Sequence, residues 1–126
     1  MEQHRPDPRR GLGTRGELLA RKRLEELGYR IIDANARTRY GELDLVAIED
    51  GCLVGVEVRT KRGVAFGTPE ESITPSKARR LAELIEAYAQ AHPDLPEDLR
   101  VDVVAVEMTV RGELVRLDVI KNAVGQ

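Results

Sequence analysis

The stretch from Glu42 to Lys61 constrains this chain more than any other, because two runs rich in Leu, Val and Ile flank the dipeptide Asp50-Gly51. Asp-Gly tolerates the positive φ angles of a type I′ turn, whose twist matches that of the strands it joins, so the segment predicts a two-residue β-hairpin. With Asp50 and Gly51 as the turn, Glu49 opposes Cys52, and the same register sets Asp44 opposite Glu57 and Glu42 opposite Arg59. Side chains alternate along a strand. Leu43, Leu45, Ala47, Val54, Val56 and Val58 therefore share one apolar face that must be buried. Glu42, Asp44, Val46, Ile48, Leu53, Gly55, Glu57, Arg59 and Lys61 share the other.

Directly opposed residues on antiparallel strands hold their Cβ atoms about 4.5–5.5 Å apart, and like charges placed there repel. Asp44 against Glu57 is a cost that calls for compensation. Two carboxylates that close form an oxygen-rich site for a hard divalent cation such as Mg²⁺, which takes one or two protein carboxylates and completes its shell with water and phosphate oxygens. The same residues also allow a plainer arrangement, a charged ladder neutralised by Arg59 and Lys61 and open to water.

A chain of 126 residues has room for one hydrophobic core. We expect a mobile tail at 1–13, a single domain at 14–120 and a C-terminal tail at 121–126. No run is long enough for a membrane helix, the N-terminus lacks the apolar centre of a secretory signal, and the lone Cys52 suits a reducing compartment. These features lead to the expectation of a cytoplasmic protein without membrane partners. The formal charge of −2 is unevenly divided: residues 1–62 hold 13 Lys/Arg and 11 Asp/Glu, against 7 and 11 in the remainder. Contact with a polyanion would have to come from local basic patches rather than from the field of the whole molecule.

Along the chain, the tail brings Arg5, Arg9 and Arg10. The run Gly11–Gly16 spells G-x-G-x-x-G, but a dinucleotide fold needs a strand just before it, and only the proline-bearing tail precedes it. Thr14 and Glu17 make a capping box for a helix running to about Leu27 and closing at Gly28. Its inward stripe is Ala20, Leu24 and Leu27, with Glu17 at one edge, so Glu17 is either a cap alone or an acid aimed at the rest of the fold. Tyr29–Ala34 reads as a strand and Asn35–Gly41 as a connection bearing Arg37 and Arg39. The hairpin follows, then a Gly/Pro-bearing loop through Ile73 with a basic entrance at Lys61 and Arg62.

Thr74-Pro75 opens a second helix with a good N-cap, and Leu81, Leu84, Ile85 and Tyr88 give it one apolar face. Lys77, Arg79 and Arg80 sit near its start, where the helix dipole favours anions, so they are either plain surface charge or placed to meet phosphates. Residues 100–108 are apolar enough for a central strand, with Asp102 on the face of Val104 and Val106. Residues 113–120 alternate as an edge strand that leaves a homodimer open. The order of helix, three-stranded meander, crossover helix, parallel strand and edge strand gives an α/β fold around a mixed sheet, with a right-handed crossover.

This order resembles the PD-(D/E)XK nuclease superfamily, in which a leading helix brings an acid, one strand an Asp and its hairpin partner Glu-x-Lys. Within it, Arg15-Gly16-Glu17, Gly41-Glu42-Leu43-Asp44-Leu45, Val56-Glu57-Val58-Arg59-Thr60, Thr74-Pro75-Ser76-Lys77 and Val101–Val106 are similar to the YraN family of endonuclease-like proteins. The resemblance spans Gly13 to about Ile120. It implies a restriction-endonuclease-like core related to Holliday-junction resolvases, with Asp44 and Glu57 as metal ligands, Glu17 as the acid of the first helix, and Mg²⁺ or Mn²⁺ as the cofactor.

One position departs from that pattern, since Arg59 stands where the superfamily has lysine. Lysine can lose its proton on burial and activate an attacking water, whereas arginine stays protonated and offers only charge and hydrogen bonds. Lys61, two residues on, is a candidate to take over. Three readings follow. The first is a metal-dependent endonuclease for duplex or branched DNA using Glu17, Asp44, Glu57, Arg59 and Lys61, with Arg37, Arg39, Lys61, Arg62, Lys77 and Arg80 on the phosphate backbone. Aromatic residues make up only 3%, which leaves little platform for stacked single strands. The second is a nucleic-acid-binding or accessory protein that keeps the fold without the chemistry, and the third is a structural domain with solvated acids.

Overall fold

The computed structural model describes residues 15–63 and 67–123. A helix α1 (Arg15–Glu26) leads into strands β1 (Arg30–Thr38), β2 (Gly41–Glu49) and β3 (Cys52–Arg62). A short 3₁₀ turn (Glu70–Ser72), helix α2 (Pro75–Ala91) and strands β4 (Asp98–Met108) and β5 (Leu114–Ile120) complete the chain. The five strands form one sheet in the order β1-β2-β3-β4-β5, antiparallel except for the parallel β3–β4 pair that the α2 crossover imposes. The result is the mixed α/β sheet expected, consistent with a restriction-endonuclease-like core.

Each helix covers one face of the sheet. Ala20 and Leu24 of α1 are buried with Leu45, Ala47, Val54, Val56, Val104 and Val106, whereas Leu81, Leu84, Ile85 and Tyr88 of α2 are buried with Ala36, Leu43, Val46, Leu53 and Val101. Leu27, expected inward, is exposed because the helix has already ended. Gly28 adopts φ 97°, and the bonds Tyr29 N–H to Leu24 O (2.9 Å) and Gly28 N–H to Glu25 O (3.1 Å) close a Schellman motif. The Thr14 half of the capping box lies outside the described residues, as does the tail before it. At α2 the Thr74 hydroxyl accepts the Lys77 N–H at 3.2 Å, as its N-cap position predicts.

Two sequence expectations change here. β1 continues through the segment read as a connection, because Asn35 takes a left-handed φ of 51° and lets the strand go on pairing, Ala36 with Leu43 and Arg37 with Glu42. The hairpin turn and register hold from Glu49↔Cys52 to Leu45↔Val56, but that is where the β2–β3 ladder stops. Asp44 is therefore not a ladder partner of Glu57, nor Glu42 of Arg59. The single apolar face also divides at this point: Leu45 lies under α1, and Leu43 lies under α2 against Gly55 and Ile85. The cross-strand ladder of Glu42, Asp44, Glu57 and Arg59 does not form, because the β2–β3 pairing ends before it reaches them.

At the other end of the chain, the Asn122 N–H donates to Asp102 Oδ1 (3.0 Å) and the Ala123 N–H to Val101 O (2.7 Å), which ties the segment after β5 to the sheet. No helix among the described residues is long and apolar enough to cross a membrane.

Candidate active site

Where β2 and β3 part, a side chain takes over the main-chain role. The Asp44 carboxylate accepts the Val58 backbone N–H at 2.8 Å and lies against the Glu57 carboxyl, with a hydrogen bond between the two. Burial, reinforced by the Glu57 charge, pushes the Asp44 carboxyl up to about 7. Burial raises Glu57 as well, opposed mainly by the Arg59 charge and by the hydrogen bond from Asp44. Both carboxyls are pushed up, so a proton shared within the pair is one way its repulsion is relieved.

Glu17 reaches this pair through α1. The helix sits so close to β3 that a Cβ built on Gly16 would overlap Thr60 Oγ1, so only glycine fits. That approach brings the next residue, Glu17, near enough for its charge to act on both Asp44 and Glu57. A glycine in the first turn of a helix, where propensity disfavours it, was the available signal for this contact. Among the described residues no three His, Cys, Asp or Glu side chains stand close enough to enclose a metal ion. The donor set is thus a tight pair with a third acid in electrostatic range. It fits a hard divalent cation that takes one or two carboxylates and otherwise water.

Arg59 separates two clefts. Its Nε lies 3.2 Å from Glu57 Oε2, within ion-pair distance but without a hydrogen-bonding angle, so this buried N–H has no acceptor among the described residues. On one side is a cleft of about 480 Å³ lined by Arg15, Glu17, Thr60, Lys61, Arg62 and Ser72. On the other is one of about 230 Å³ lined by Glu42, Glu57, Lys77, Arg80, Leu81 and Leu84. Lys61 Nζ is held by the Gly67 carbonyl at 3.4 Å, and Arg80 donates to the carbonyl of Tyr40. Arg37 and Arg39 line a separate cleft with Tyr88, Gln90 and His92, so the structure does not group them with the acids.

The starts of both helices, the start of β2 and the ends of β3 and β4 meet at this end of the sheet. It is a local concentration of cations and of helix N-terminal N–H groups in a chain whose net charge is negative. Asp102 is not part of it. Fully buried, it accepts Tyr29 Oη at 2.6 Å, Arg100 Nε and Nη2 at 2.9 Å each, and the Asn122 N–H, while Arg100 also reaches Glu49 at 2.6 Å. Burial first, and then the Asp102 hydrogen bond, hold the Tyr29 hydroxyl well above the usual phenol range.

Comparison with known proteins places the chain in a family. Residues 16–106 match the family described as "Uncharacterised protein family UPF0102". A UPF0102 protein of Symbiobacterium thermophilum is 46% identical over 114 residues, covering 90% of this chain and 96% of the relative. One from Kineococcus radiotolerans is 45% identical over 102 residues, covering 80% and 84%. A third, from Caldicellulosiruptor saccharolyticus, is 40% identical over 115 residues, covering 91% and 98%. By these matches the chain belongs to the UPF0102, or YraN, family of endonuclease-like proteins.

Proposed function

We propose that this protein is a metal-dependent endonuclease that hydrolyses phosphodiester bonds in duplex or branched DNA. The observation that carries the reading is the half-buried Asp44–Glu57 pair, whose mutual repulsion is relieved by a proton or by a cation, at the end of the sheet where the basic side chains collect.

Asp44 and Glu57 would hold the cation, with Glu17 contributing negative charge from the facing helix. A bound Mg²⁺ or Mn²⁺ supplies a Lewis acid for the phosphoryl oxygen and a bound water of lowered pKa. The chain's own residues do the rest. Arg59, permanently charged and with an unused Nε–H, stabilises charge on the phosphate but takes no proton. Lys61 and Arg62 on one side, and Lys77 and Arg80 on the other, position the backbone without reading sequence. Arg37 and Arg39 extend that contact away from the acids.

The identity of Arg59 also favours a second reading, a nucleic-acid-binding protein of DNA processing without turnover. Incubating the purified chain with linear and branched DNA in Mg²⁺ or Mn²⁺, beside Asp44→Asn and Glu57→Gln, separates the two. Cleavage lost in both variants supports the nuclease. Binding that persists in both variants, with no cleavage in any of the three proteins, supports the second reading.

A further inference from the structure

Both edges of the sheet carry a break in register, at different places. On β1 the register shifts between Ile31 and Asp33, the Asp33 carboxylate takes the Ala34 N–H at 2.9 Å, and Asn35 turns left-handed. These irregularities interrupt the outward row of backbone groups that would invite another strand. On β5 the register against β4 shifts at Val115, so the regular stretch of this edge is 116–120, preceded by Leu114 and Val115 at 47% and 63% exposure and beside Val110 at 75%.

The sequence of β5, Leu114-Val115-Arg116-Leu117-Asp118-Val119-Ile120, is complementary to itself when reversed about Leu117. We propose that a second copy of this chain docks on β5, strand against antiparallel strand, with Leu117 on the two-fold axis. Arg116 then faces the partner's Asp118 on each side of the axis, and the aliphatic Val119 and Ile120 lie along the partner's Leu114 and the partner's Val115, where the strand bulges. Centring the axis on Asp118 or on Arg116 sets like charges against each other, and centring it between residues pairs charges with aliphatic side chains. Charge and hydropathy together select one register.

The edge is prepared for that register. Arg116 is fixed by Glu70 (2.9 Å), Glu107 (2.6 Å) and Asp118 (2.5 Å), so neither charge has to be ordered on docking. Asp118 stays 56% exposed, leaving its carboxylate able to accept from a second guanidinium. In strand addition the main-chain bonds supply affinity and the alternating side chains supply register. The docked pair is one continuous sheet with an acid notch at each of its opposite ends. This inference does not depend on nuclease activity.

The test uses the full chain. Sedimentation equilibrium should give a reversible dimer, and Asp118→Arg should raise its dissociation constant about tenfold or more, because each Arg116 would then face a like charge across the axis. In a Cys52→Ser background, Leu117→Cys should form a disulfide-linked dimer on mild oxidation, while Asp118→Cys, displaced from the axis, should not. Melting curves check that each variant is folded. A chain that is monomeric throughout, a dimer indifferent to Asp118→Arg, or a folded Leu117→Cys variant that fails to cross-link would overturn the proposal.

Discussion

The Asp44 carboxylate accepts the Val58 N–H at 2.8 Å, doing with a side chain what β2 does elsewhere with its backbone. Because of that substitution the two strands separate, Leu43 and Leu45 pass to opposite faces, and two acids meet in the gap. The site is therefore a consequence of how the sheet ends. Changes at Asp44 should move stability and function in opposite directions.

The sign of the pH effect follows from the raised pKa. In the unfolded chain Asp44 titrates near 3.8, and in the folded protein near 7, so folding holds a proton that the unfolded chain releases. The stability associated with that proton is complete below about pH 4 and lost as pH rises to about 7, an effect of about 2–4 kcal/mol. Asp44→Asn keeps the acceptor for Val58 and a donor for Glu57 without the titration. Urea denaturation should find this variant more stable than the parent at pH 8 and little different at pH 4. Equal differences at the two pH values would contradict the assignment.

Gly16→Ala should cost about 1–3 kcal/mol, because the new methyl overlaps Thr60 Oγ1 and α1 must move away from β3. Combining it with Thr60→Ala removes the Oγ1 contact and should recover part of the loss, giving a positive coupling in a double-mutant cycle. Additive costs would mean that the helix does not rest on Thr60.

Much of this was legible in the residues themselves. Asp50-Gly51 fixed the hairpin and its register from Glu49↔Cys52 to Leu45↔Val56, and the spacing of Leu81, Leu84, Ile85 and Tyr88 identified the face of α2. The separation of the strands at Asp44 was not legible, because strict alternation assumes an unbroken ladder, and nothing local shows that a carboxylate will replace a carbonyl as acceptor. Asn35 misled for a related reason: a residue tolerant of left-handed φ reads as a turn, yet here it sits inside a strand held by its neighbour. Asp102 was recognised as interior, but its partners Tyr29, Arg100 and Asn122 come from three distant segments that only the fold brings together.

That network gives a contrasting variant. Asp102→Ala removes the buried acceptor shared by the Tyr29 hydroxyl, the Asn122 N–H and Arg100, which keeps Glu49, and should cost about 2–4 kcal/mol in denaturant titration. It should leave the affinity of the folded protein for Mn²⁺ unchanged. A large effect on metal affinity with little loss of stability would place Asp102 in the site after all.

Arg59→Lys tests whether the guanidinium limits the chemistry. If Arg59 supplies charge alone, Arg59→Ala should slow DNA cleavage about a hundredfold, and Arg59→Lys should restore the rate and add a rise between pH 7 and 9 as the ammonium becomes able to lose its proton. A pH–rate profile for lysine identical to that for arginine would show that position 59 takes no part in proton transfer.

The most direct test is calorimetric titration of the purified protein with Mn²⁺ near pH 6.5, in two buffers of different ionisation enthalpy, beside Asp44→Asn. A cation that displaces the proton shared by Asp44 and Glu57 should bind once per chain with measurable proton release, and both the binding and the release should be lost in the variant. Binding of equal strength in the parent and in Asp44→Asn, or binding without proton release, would contradict the account.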